Sequence, residues 1–492
     1  MYIAAMVTGN GSPLPVILRW TGPMAGIILY LLLSRSGLSH TMCSVAGLTA
    51  WMAIWWISET VDLGVTSLLP LVILPLTGVM DTSEVAGQYM EQTVFLFIGG
   101  FFMAYAMEKW KLHERLAYRI ILSTGATPVR VLAGLMITTF FVSMWISNTA
   151  TTLMMLTAVM AIIHHKNLFE PGEHSRMATG YLLALTYTAS IGGMSTLVGT
   201  PTNMILAGFI ETNYQGSATM NFMIWFRHAF PMALILAILT FLVIRKRYFK
   251  NGGNRTFDLG FIRNRYEALG KLSKQESRVT LVFCITVVLW FTRTDLDFGS
   301  IRFKGWNHLF PWGGMIKDST VAIIGSLALF LLPSGKQKEA LLNWEDVTRL
   351  PFRILLLFGS GFALAAAFSK SGLAASIAAN LTALEGLPSI AFIFGVAVIV
   401  TALSEFASNV ASIQLMLPIL APLAVTLKVD PLTLMIPATL AASLGYMMPV
   451  ATAPNTIVFG TGHIQMKEMI KTGLLINLLG ILLITLFQLL GI

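Results

Sequence analysis

The chain has 492 residues, of which 55% are hydrophobic and 11% charged, and its mean hydropathy is +0.75. A soluble domain cannot hide so much apolar surface, so the composition predicts an all-α polytopic membrane protein. The net charge of +9 could suggest a nucleic-acid partner, but its position in the chain argues against one. Residues 245–278 carry ten Lys or Arg against three acids, which predicts a cytoplasmic loop.

Apolar runs of suitable length predict about eleven transmembrane helices. They lie near residues 14–34, 40–58, 63–80, 93–108, 178–210, 222–244, 279–292, 319–333, 352–369, 432–462 and 471–491. Two further apolar stretches, about 129–163 and about 386–427, carry polar motifs at their middles, which favours re-entrant helical hairpins over single long spans. Counting spans from the basic loop predicts a cytoplasmic N-terminus and a C-terminus outside, in a cell inner membrane or plasma membrane.

The spans divide the chain into two units with the same order of elements. Each unit has two spans, an apolar span with an amphipathic stretch, a hairpin, a broken span and a closing span. Five spans is an odd number, so the second unit must enter the membrane from the opposite side, which predicts inverted repeats. The predicted divisions are a lead helix at 1–37, repeat 1 at 38–245, a basic linker at 246–278 and repeat 2 at 279–492.

A polar motif recurs in the two units. Ser143-Met-Trp-Ile-Ser-Asn-Thr-Ala150 returns as Ser404-Glu-Phe-Ala-Ser-Asn-Val-Ala411, at an offset of 404 − 143 = 261 residues. A single Ser-Asn-Thr in a membrane helix is more often a helix-packing feature than a ligand site. Its recurrence in the same order and at matched spacing favours a functional reading.

Each hairpin is followed by a span that glycines and prolines interrupt, about 178–210 in the first unit and about 432–462 in the second. These segments run through Gly199-Thr-Pro-Thr-Asn203 and Ala451-Thr-Ala-Pro-Asn455. In hydrocarbon a helix can be broken only where protein or a water-filled cavity satisfies the freed backbone groups. The freed carbonyls suit Na⁺ and the helix N-termini suit an anion, so the breaks predict a site that holds both.

These motifs, together with Trp55-Trp-Ile-Ser-Glu-Thr60 and Thr66-Ser-Leu-Leu-Pro70, resemble the divalent anion/sodium symporter family of dicarboxylate and citrate carriers. The resemblance covers essentially the whole chain. It implies a homodimer in which a mobile transport domain, made of both hairpins and both broken helices, moves like an elevator against a static scaffold.

The resemblance also implies ligands by position. For sodium it implies Ser143, Ser147, Asn148 and Gly199 at one site, and Ser404, Ala407, Asn409 and Ala451 at the other. For the substrate carboxylates it implies Asn148, Thr149, Thr200, Ser408, Asn409, Val410 and Thr452. Val410 stands where the family frequently has Thr, and the paired prolines are reduced to Pro201-Thr202 and Ala453-Pro454. The missing hydroxyl leaves the choice between a C4-dicarboxylate and citrate open.

Neither the hairpin tips nor the broken helices contain a Lys or Arg that could neutralise a dianion. Burying an uncompensated charge costs several kcal/mol or more, so the cations must come from solution. We therefore expect a symporter that imports succinate, malate or fumarate with two or more Na⁺ ions.

Several alternatives remain. They are a sodium-independent exchanger of the same fold, a citrate or sulfate carrier, a channel and, remotely, an intramembrane enzyme, for which no catalytic motif is present. Glu405 lies within the second motif and is expected to pair with a nearby polar or basic group rather than to act as a protonatable coupling group.

Overall fold

The computed structural model describes residues 14–164, 173–214, 220–250, 259–297, 302–335, 339–380 and 388–491. Within these ranges the chain is helical, apart from a small two-stranded sheet and three short 3-10 helices. Seven helices of the described ranges are long and apolar enough to cross a membrane, and six shorter apolar helices accompany them. The prediction of an all-α polytopic membrane protein is therefore confirmed.

Within the described part of the chain, seven helices precede the first hairpin. They are α1 (Leu14–Arg35), α2 (His40–Ser58), α3 (Leu63–Thr66), α4 (Leu69–Leu76), α5 (Thr82–Gln88), α6 (Gln92–Lys109) and α7 (Leu112–Thr124). The span predicted near 63–80 is divided, because Asp62 caps α3 through the Gly64 N–H at 2.8 Å and Pro70 begins a second helix. The amphipathic α7 is fixed by Arg115, whose guanidinium lies 2.6 Å from the Glu276 carboxylate.

The first hairpin and the first broken span follow. The hairpin consists of α8 (Pro128–Ser143) and α9 (Asn148–His164), and the broken span consists of α10 (Glu173–Met194) and α11 (Pro201–Asn213). The closing helix α12 (Phe222–Tyr248) ends in three successive basic residues. Thr127 caps α8 and Pro128 occupies its first turn, so the hairpin begins where local sequence favours a helix start.

The predicted basic linker contains α13 (Gly260–Ala268), and the predicted second repeat begins with α14 (Lys274–Thr292) and α15 (Asp318–Leu331). Ser273 and Glu276 form a capping box at the start of α14. The loop from α14 to α15 holds the antiparallel strands β1 (Leu296–Asp297) and β2 (Arg302–Phe303) and the first two 3-10 helices. In this loop the Gly305 N–H and the His308 imidazole hold the pKa of Asp295 below its usual value.

The rest of the second half repeats the order of elements that the first half shows from α6 onwards. Its helices are α16 (Phe352–Ser371), α17 (Leu373–Asn380), α18 (Ser389–Phe406), α19 (Asn409–Thr426), α20 (Leu432–Ala442), α21 (Ala453–Phe459) and α22 (Met466–Leu489). The helix pairs α8–α9 and α18–α19 coincide with the two predicted hairpins, and the gaps after α10 and α20 coincide with the two predicted breaks.

The hairpin of each half packs against the broken span of the other half. Helix α9 of the first hairpin lies against α21, and α11 lies against α19 of the second hairpin. One large buried core holds both hairpins and both broken spans. A smaller core joins α2, α4 and α5 to α16 and includes Trp56, Leu74 and Phe368. The four helices that begin at polar motifs therefore meet within one packed body.

Candidate functional site

The first hairpin tip is tied to the first broken helix by one hydroxyl. The Ser143 Oγ lies 2.8 Å from Asn148 Oδ1 and 2.6 Å from the carbonyl oxygen of Ala189 in α10. Gly193 permits this approach, because a Cβ at that position would lie only 2.2 Å from Asn148 Oδ1. Ser143 is fully buried, so its oxygen and the neighbouring acceptors form a compact group of hard ligands.

The second hairpin tip has the same arrangement. The Ser404 Oγ lies 2.7 Å from Asn409 Oδ1 and 2.6 Å from the carbonyl oxygen of Ala442 in α20. Gly445 lies beside this group, and a Cβ there would approach the Ser404 carbonyl oxygen to 3.3 Å. The two motifs that match in sequence thus also match in contacts and distances.

Each broken span is held open by an asparagine. Asn203 Nδ2 donates to the carbonyl oxygens of Thr196 at 2.7 Å and Gly193 at 3.2 Å. Asn455 Nδ2 donates to the carbonyl oxygens of Met448 and Gly445, both at 2.9 Å. Both asparagines are fully buried. They satisfy backbone carbonyls that a continuous helix would have paired, which is the requirement for an interrupted helix in a membrane.

Neither Asn203 nor Asn455 was assigned a role from the sequence, although both close the recurring motifs. The available signal was their matched position one turn into the second half of each broken span. A polar side chain at such a place, next to glycines and a proline, can reach back to the unwound carbonyls. Their role here is to shape the backbone.

Hydrogen bonds also cross between the halves. The Thr186 hydroxyl in α10 donates to Asn455 Oδ1 at 2.7 Å, and the Thr202 and Ser443 hydroxyls lie 3.4 Å apart. The rings of Tyr187 and Tyr446 pack with their centroids 5.2 Å apart. Each half of the site is therefore completed by residues of the other half.

The residues predicted to meet the substrate lie at the starts of four helices. Asn148 and Thr149 begin α9, Asn409 and Val410 begin α19, and Thr200 and Thr452 precede α11 and α21. Four helix N-termini in one body offer positive dipole ends and backbone N–H groups to an anion.

Capping separates these residues into two groups. The hydroxyls of Ser408 and Thr452 accept the Ala411 and Asn455 N–H groups, both at 3.2 Å. Thr200 makes no such capping bond, and Val410 has no hydroxyl to offer. The Thr200 hydroxyl is therefore not occupied by its own helix.

The predicted sodium ligands fall into two clusters, one per half. Ser143 and Asn148 are in contact. Gly199 lies in the adjacent unwound segment, where a Cβ would lie 2.4 Å from the Gly193 carbonyl oxygen. Ser147 is exposed and its hydroxyl caps α9 through the Ala150 N–H at 3.3 Å, which distinguishes it from the buried Ser143.

The second cluster contains Ser404 and Asn409, with Ala451 packed against Gly445. Ala407 is buried and ends α18, between the two polar residues of the tip.

Glu405 is held by a set of donors that the sequence did not specify. Its carboxylate accepts the backbone N–H groups of Tyr446, Met447 and Met448 at 2.8 to 3.1 Å, and the Asn477 Nδ2 at 2.6 Å. The side chain is 3% exposed. The predicted polar partner is thus Asn477, in the closing helix α22. The carboxylate organises the unwound segment of the second half.

Charge is scarce in this region. Among the described residues, the buried acids are Glu405, Glu276 and Asp318, and the buried arginine is Arg293. Arg293 lies at the end of α14, 2.5 Å from Asp318, so its charge is already paired. The described tips and breaks contain no Lys or Arg.

Comparison with known proteins identifies the family of the chain. The model of the sodium:sulfate symporter transmembrane region matches residues 21–491. The chain belongs to this family of divalent anion/sodium symporters. The resemblance seen in the motifs is therefore confirmed, as is the expectation of a transporter rather than an enzyme.

Curated members of the symporter family are similar over most of their length. The sodium-dependent dicarboxylate transporter SdcS of Staphylococcus saprophyticus is 38% identical, covering 94% of this chain and 89% of that protein. The Na(+)/dicarboxylate cotransporter 3 of Homo sapiens is 34% identical, covering 88% of this chain and 85% of that protein.

Solved transporters share the fold at much lower identity. The YdaH transporter of Alcanivorax borkumensis aligns with a TM-score of 0.58 at 12% identity, covering 92% of this chain and 98% of that one. MtrF of Neisseria gonorrhoeae aligns with a TM-score of 0.59 at 12% identity, covering 85% of this chain and 83% of that one. These similarities concern the architecture alone.

Proposed function

We propose that this chain is a sodium-coupled symporter that imports C4-dicarboxylates such as succinate, malate or fumarate. The relatives that are most informative are named as sodium-dependent dicarboxylate transporters. The observation that carries the proposal is the pair of matched oxygen clusters, Ser143 with Asn148 and Ser404 with Asn409. Each cluster holds one sodium ion together with carbonyl oxygens of the adjacent unwound segment.

The substrate lies between the clusters. Its carboxylates accept hydrogen bonds from Asn148, Thr149 and Thr200 on one side, and from Ser408, Asn409 and Thr452 on the other, with Val410 in van der Waals contact. The helix N-termini supply partial positive charge, and the sodium ions supply full charges that no described side chain of the tips provides. Two ions neutralise a dicarboxylate, and a third adds one net charge worth about 2.3 kcal/mol per 100 mV.

Uptake of labelled succinate into proteoliposomes tests this proposal. A sodium gradient should drive accumulation, and replacing sodium with choline should abolish it. Imposing a negative internal potential should accelerate uptake only if the transported complex carries net positive charge. Uptake that ignores sodium and requires dicarboxylate inside the vesicles would reject symport and favour an anion exchanger. Competition by citrate and sulfate decides among the remaining substrates.

The mechanism we propose is an elevator movement within a homodimer. The two hairpins and two broken spans move as one body, and α6 belongs to the static part. Val198 of the first unwound segment lies against α6, and a Cβ built on Gly100 would lie 3.5 Å from the Val198 Cβ. This spacing suits a disulfide, for which Cβ atoms lie about 3.5–4.5 Å apart.

The double variant Gly100→Cys/Val198→Cys, in a Cys284→Ser background, should therefore cross-link under mild oxidation. The cross-link should stop sodium-driven uptake, and a reducing agent should restore it. Each single cysteine variant is the control and should keep uptake after oxidation. A fully cross-linked protein that still transports would show that α6 and the first broken span do not move past each other. Light scattering on the purified protein measures whether it is a dimer.

A further inference from the structure

An apolar groove lies behind the first hairpin. It has a volume of about 740 Å³ and is lined by α8, α12 and α14, from Ala133 to Trp145 on the hairpin side. Every described lining side chain is aliphatic, aromatic or sulfur-containing. Such a lining offers water almost no hydrogen-bond partners, so it favours an apolar molecule as the filling of the groove.

The groove opens towards the bilayer. The lining residues Ile137 and Val288 are 53% and 59% exposed, and Cys284 is also exposed. The lining stretch from Ala133 to Trp145 runs along α8 and two residues past its end, which is twelve residue steps or roughly 18 Å at 1.5 Å per residue. This length is similar to one leaflet of a hydrocarbon core about 30 Å thick. Its dimensions and composition therefore suit one acyl chain.

The three helices run in known relative directions. Trp145 at the end of α8 stacks on Phe222 at the start of α12 with ring centroids 5.9 Å apart. Phe222 in turn stacks on Trp290, near the end of α14, at 4.9 Å. Helix α12 is therefore antiparallel to α8 and α14. The start of α8, the end of α12 and the start of α14 lie at the same end of the groove.

At this end, two arginines lie on the helix faces that line the groove. Arg130 lies seven residues before the lining residue Ile137, and Arg245 lies four residues after the lining residue Phe241. Both spacings keep a residue on the same face of its helix. Both arginines are exposed. Arg247, by contrast, pairs with Glu468 at 3.1 Å.

We propose that this groove binds one acyl chain of an anionic phospholipid, whose phosphate is bound by Arg130 and Arg245. Arginine suits this role because its planar guanidinium forms paired hydrogen bonds with phosphate oxygens. The lipid fills the space behind the hairpin whose tip carries Ser147 and Asn148. It thereby contacts Trp145, which lines the groove next to the tip.

A photoreactive lipid tests the site. Phosphatidylglycerol with a diazirine in its acyl chain is added to nanodiscs that contain the full-length protein in phosphatidylcholine, and cross-linked peptides are quantified by mass spectrometry. The readout is the labelling of the α12 groove face divided by that of α22, where Leu478 and Leu482 are 49% and 57% exposed. This ratio should be roughly tenfold higher for phosphatidylglycerol than for the matching phosphatidylcholine probe.

Three variants make the result specific. Arg130→Gln/Arg245→Gln should bring the ratio down to that of the phosphatidylcholine probe, whereas the neighbouring exposed Lys246→Gln should leave it unchanged. Ala133→Trp narrows the groove but keeps both arginines, so it should lower groove labelling by either lipid. It also tests the site if the double variant does not fold.

Equal ratios for the two lipids would mean that only bulk lipid covers this face, and would overturn the proposal. If Lys246→Gln lowered the labelling ratio as much as the double arginine variant, the preference would come from general surface charge. This result would also overturn the proposal. Absence of groove labelling by either lipid in the wild-type protein would point to a second copy of the chain on this face. Loss of the preference on adding soluble glycerol phosphate would assign the arginines to a free phosphate instead.

Discussion

The two hairpin tips share their oxygen clusters but differ in what supports them. In the first half the Trp225 indole donates to the Met194 carbonyl oxygen at 3.0 Å, and Met144 occupies the position that matches Glu405 (405 − 144 = 261). In the second half a carboxylate binds three backbone N–H groups of the unwound segment. The difference shows that the geometry of the oxygen clusters is repeated, whereas the contacts that support it differ between the halves.

The supporting residues themselves correspond in position. Asn477 matches Trp225 at the same offset that relates the two buried asparagines (477 − 225 = 252 and 455 − 203 = 252). In one half the unwound segment is held through a carbonyl, and in the other through its N–H groups. The first support is aromatic and neutral, while the second is charged. Substitutions of these residues therefore test whether the two halves depend on different supporting contacts.

The largest effect is expected for the shared asparagines. Asn148→Ala and Asn409→Ala each remove an oxygen from one cluster and leave Ser143 or Ser404 with only its backbone acceptor. An interaction with a charged group is worth about 1.5–3 kcal/mol, so the loss of one sodium ligand should lower sodium-driven uptake by roughly 10- to 100-fold in each variant. Initial rates of succinate uptake at several sodium concentrations measure the loss.

The control is Asn213→Ala at the end of α11, where the side chain donates to the Phe209 carbonyl oxygen at 2.9 Å and lies outside both clusters. It should keep uptake within a few-fold of wild type. A strong loss in one half only would break the equivalence of the clusters. Wild-type sodium dependence in both variants would limit the two asparagines to packing.

Removing the carboxylate of Glu405 should destabilise the second half alone. Glu405→Ala leaves four donors without an acceptor, which should lower stability by about 3 kcal/mol or more. Glu405→Gln retains one acceptor oxygen and should lose less. Thermal unfolding of the detergent-purified protein, with and without sodium, measures both losses.

The matched control is Glu468→Gln, because Glu468 is an acid of the second half that lies in the closing helix α22 and pairs with Arg247 in a partly exposed position. The pH dependence of uptake tests the remaining alternative, in which Glu405 is a protonatable coupling group. If Glu405 couples protons, Glu405→Gln should abolish a pH dependence that the wild type shows. A supporting role predicts the same pH profile at a higher sodium requirement.

A smaller difference is expected between the two buried asparagines. Both donate to unwound carbonyls, but Asn455 also accepts the Thr186 hydroxyl at 2.7 Å, whereas Asn203 accepts only a contact of 3.4 Å from Thr202. Asn455→Ala should therefore be about 1–2 kcal/mol more destabilising than Asn203→Ala. Chemical denaturation of the two variants side by side gives this difference, and Thr186→Val should reduce it. Equal losses would show that the bond between the halves contributes little.

The smallest effect is expected at Val410. Val410→Thr restores a hydroxyl that matches Thr149 and adds one possible hydrogen bond to a carboxylate. We expect a change of roughly fivefold in the preference between succinate and citrate, equivalent to about 1 kcal/mol, and little change in sodium affinity. Thr149→Val is the reciprocal variant and should change the preference as well. An unaltered substrate profile in competition assays would mean that position 410 does not face the ligand.

Local sequence was sufficient to predict the hairpins and the breaks. Ser, Asn, Gly and Pro inside an apolar run have few explanations in a membrane, because each interrupted backbone group needs a partner. The helix interruptions before Asn148 and Asn409 and those after Met194 and Ala442 follow from this rule. The division between α3 and α4 was missed, although Pro70 marks the start of a helix.

Long-range support could not be predicted in the same way. Asn477 lies 72 residues after Glu405 in an apolar helix, and nothing in its local pattern distinguishes it from a helix-packing residue. Trp225 likewise has no local signal for a bond to an unwound carbonyl. The crosswise packing of α9 on α21 depends on how the two halves dock, which periodicity does not encode.

The bond between Thr186 and Asn455 also sets an order of assembly. The two residues are 269 positions apart, so at about 5–20 residues per second the ribosome adds the second roughly 13 to 54 s after the first. Until then the first half has a broken helix without its cross-half partner, and the Thr186 hydroxyl can bond only within its own helix. The contact between the halves therefore forms only after α21 has been synthesised.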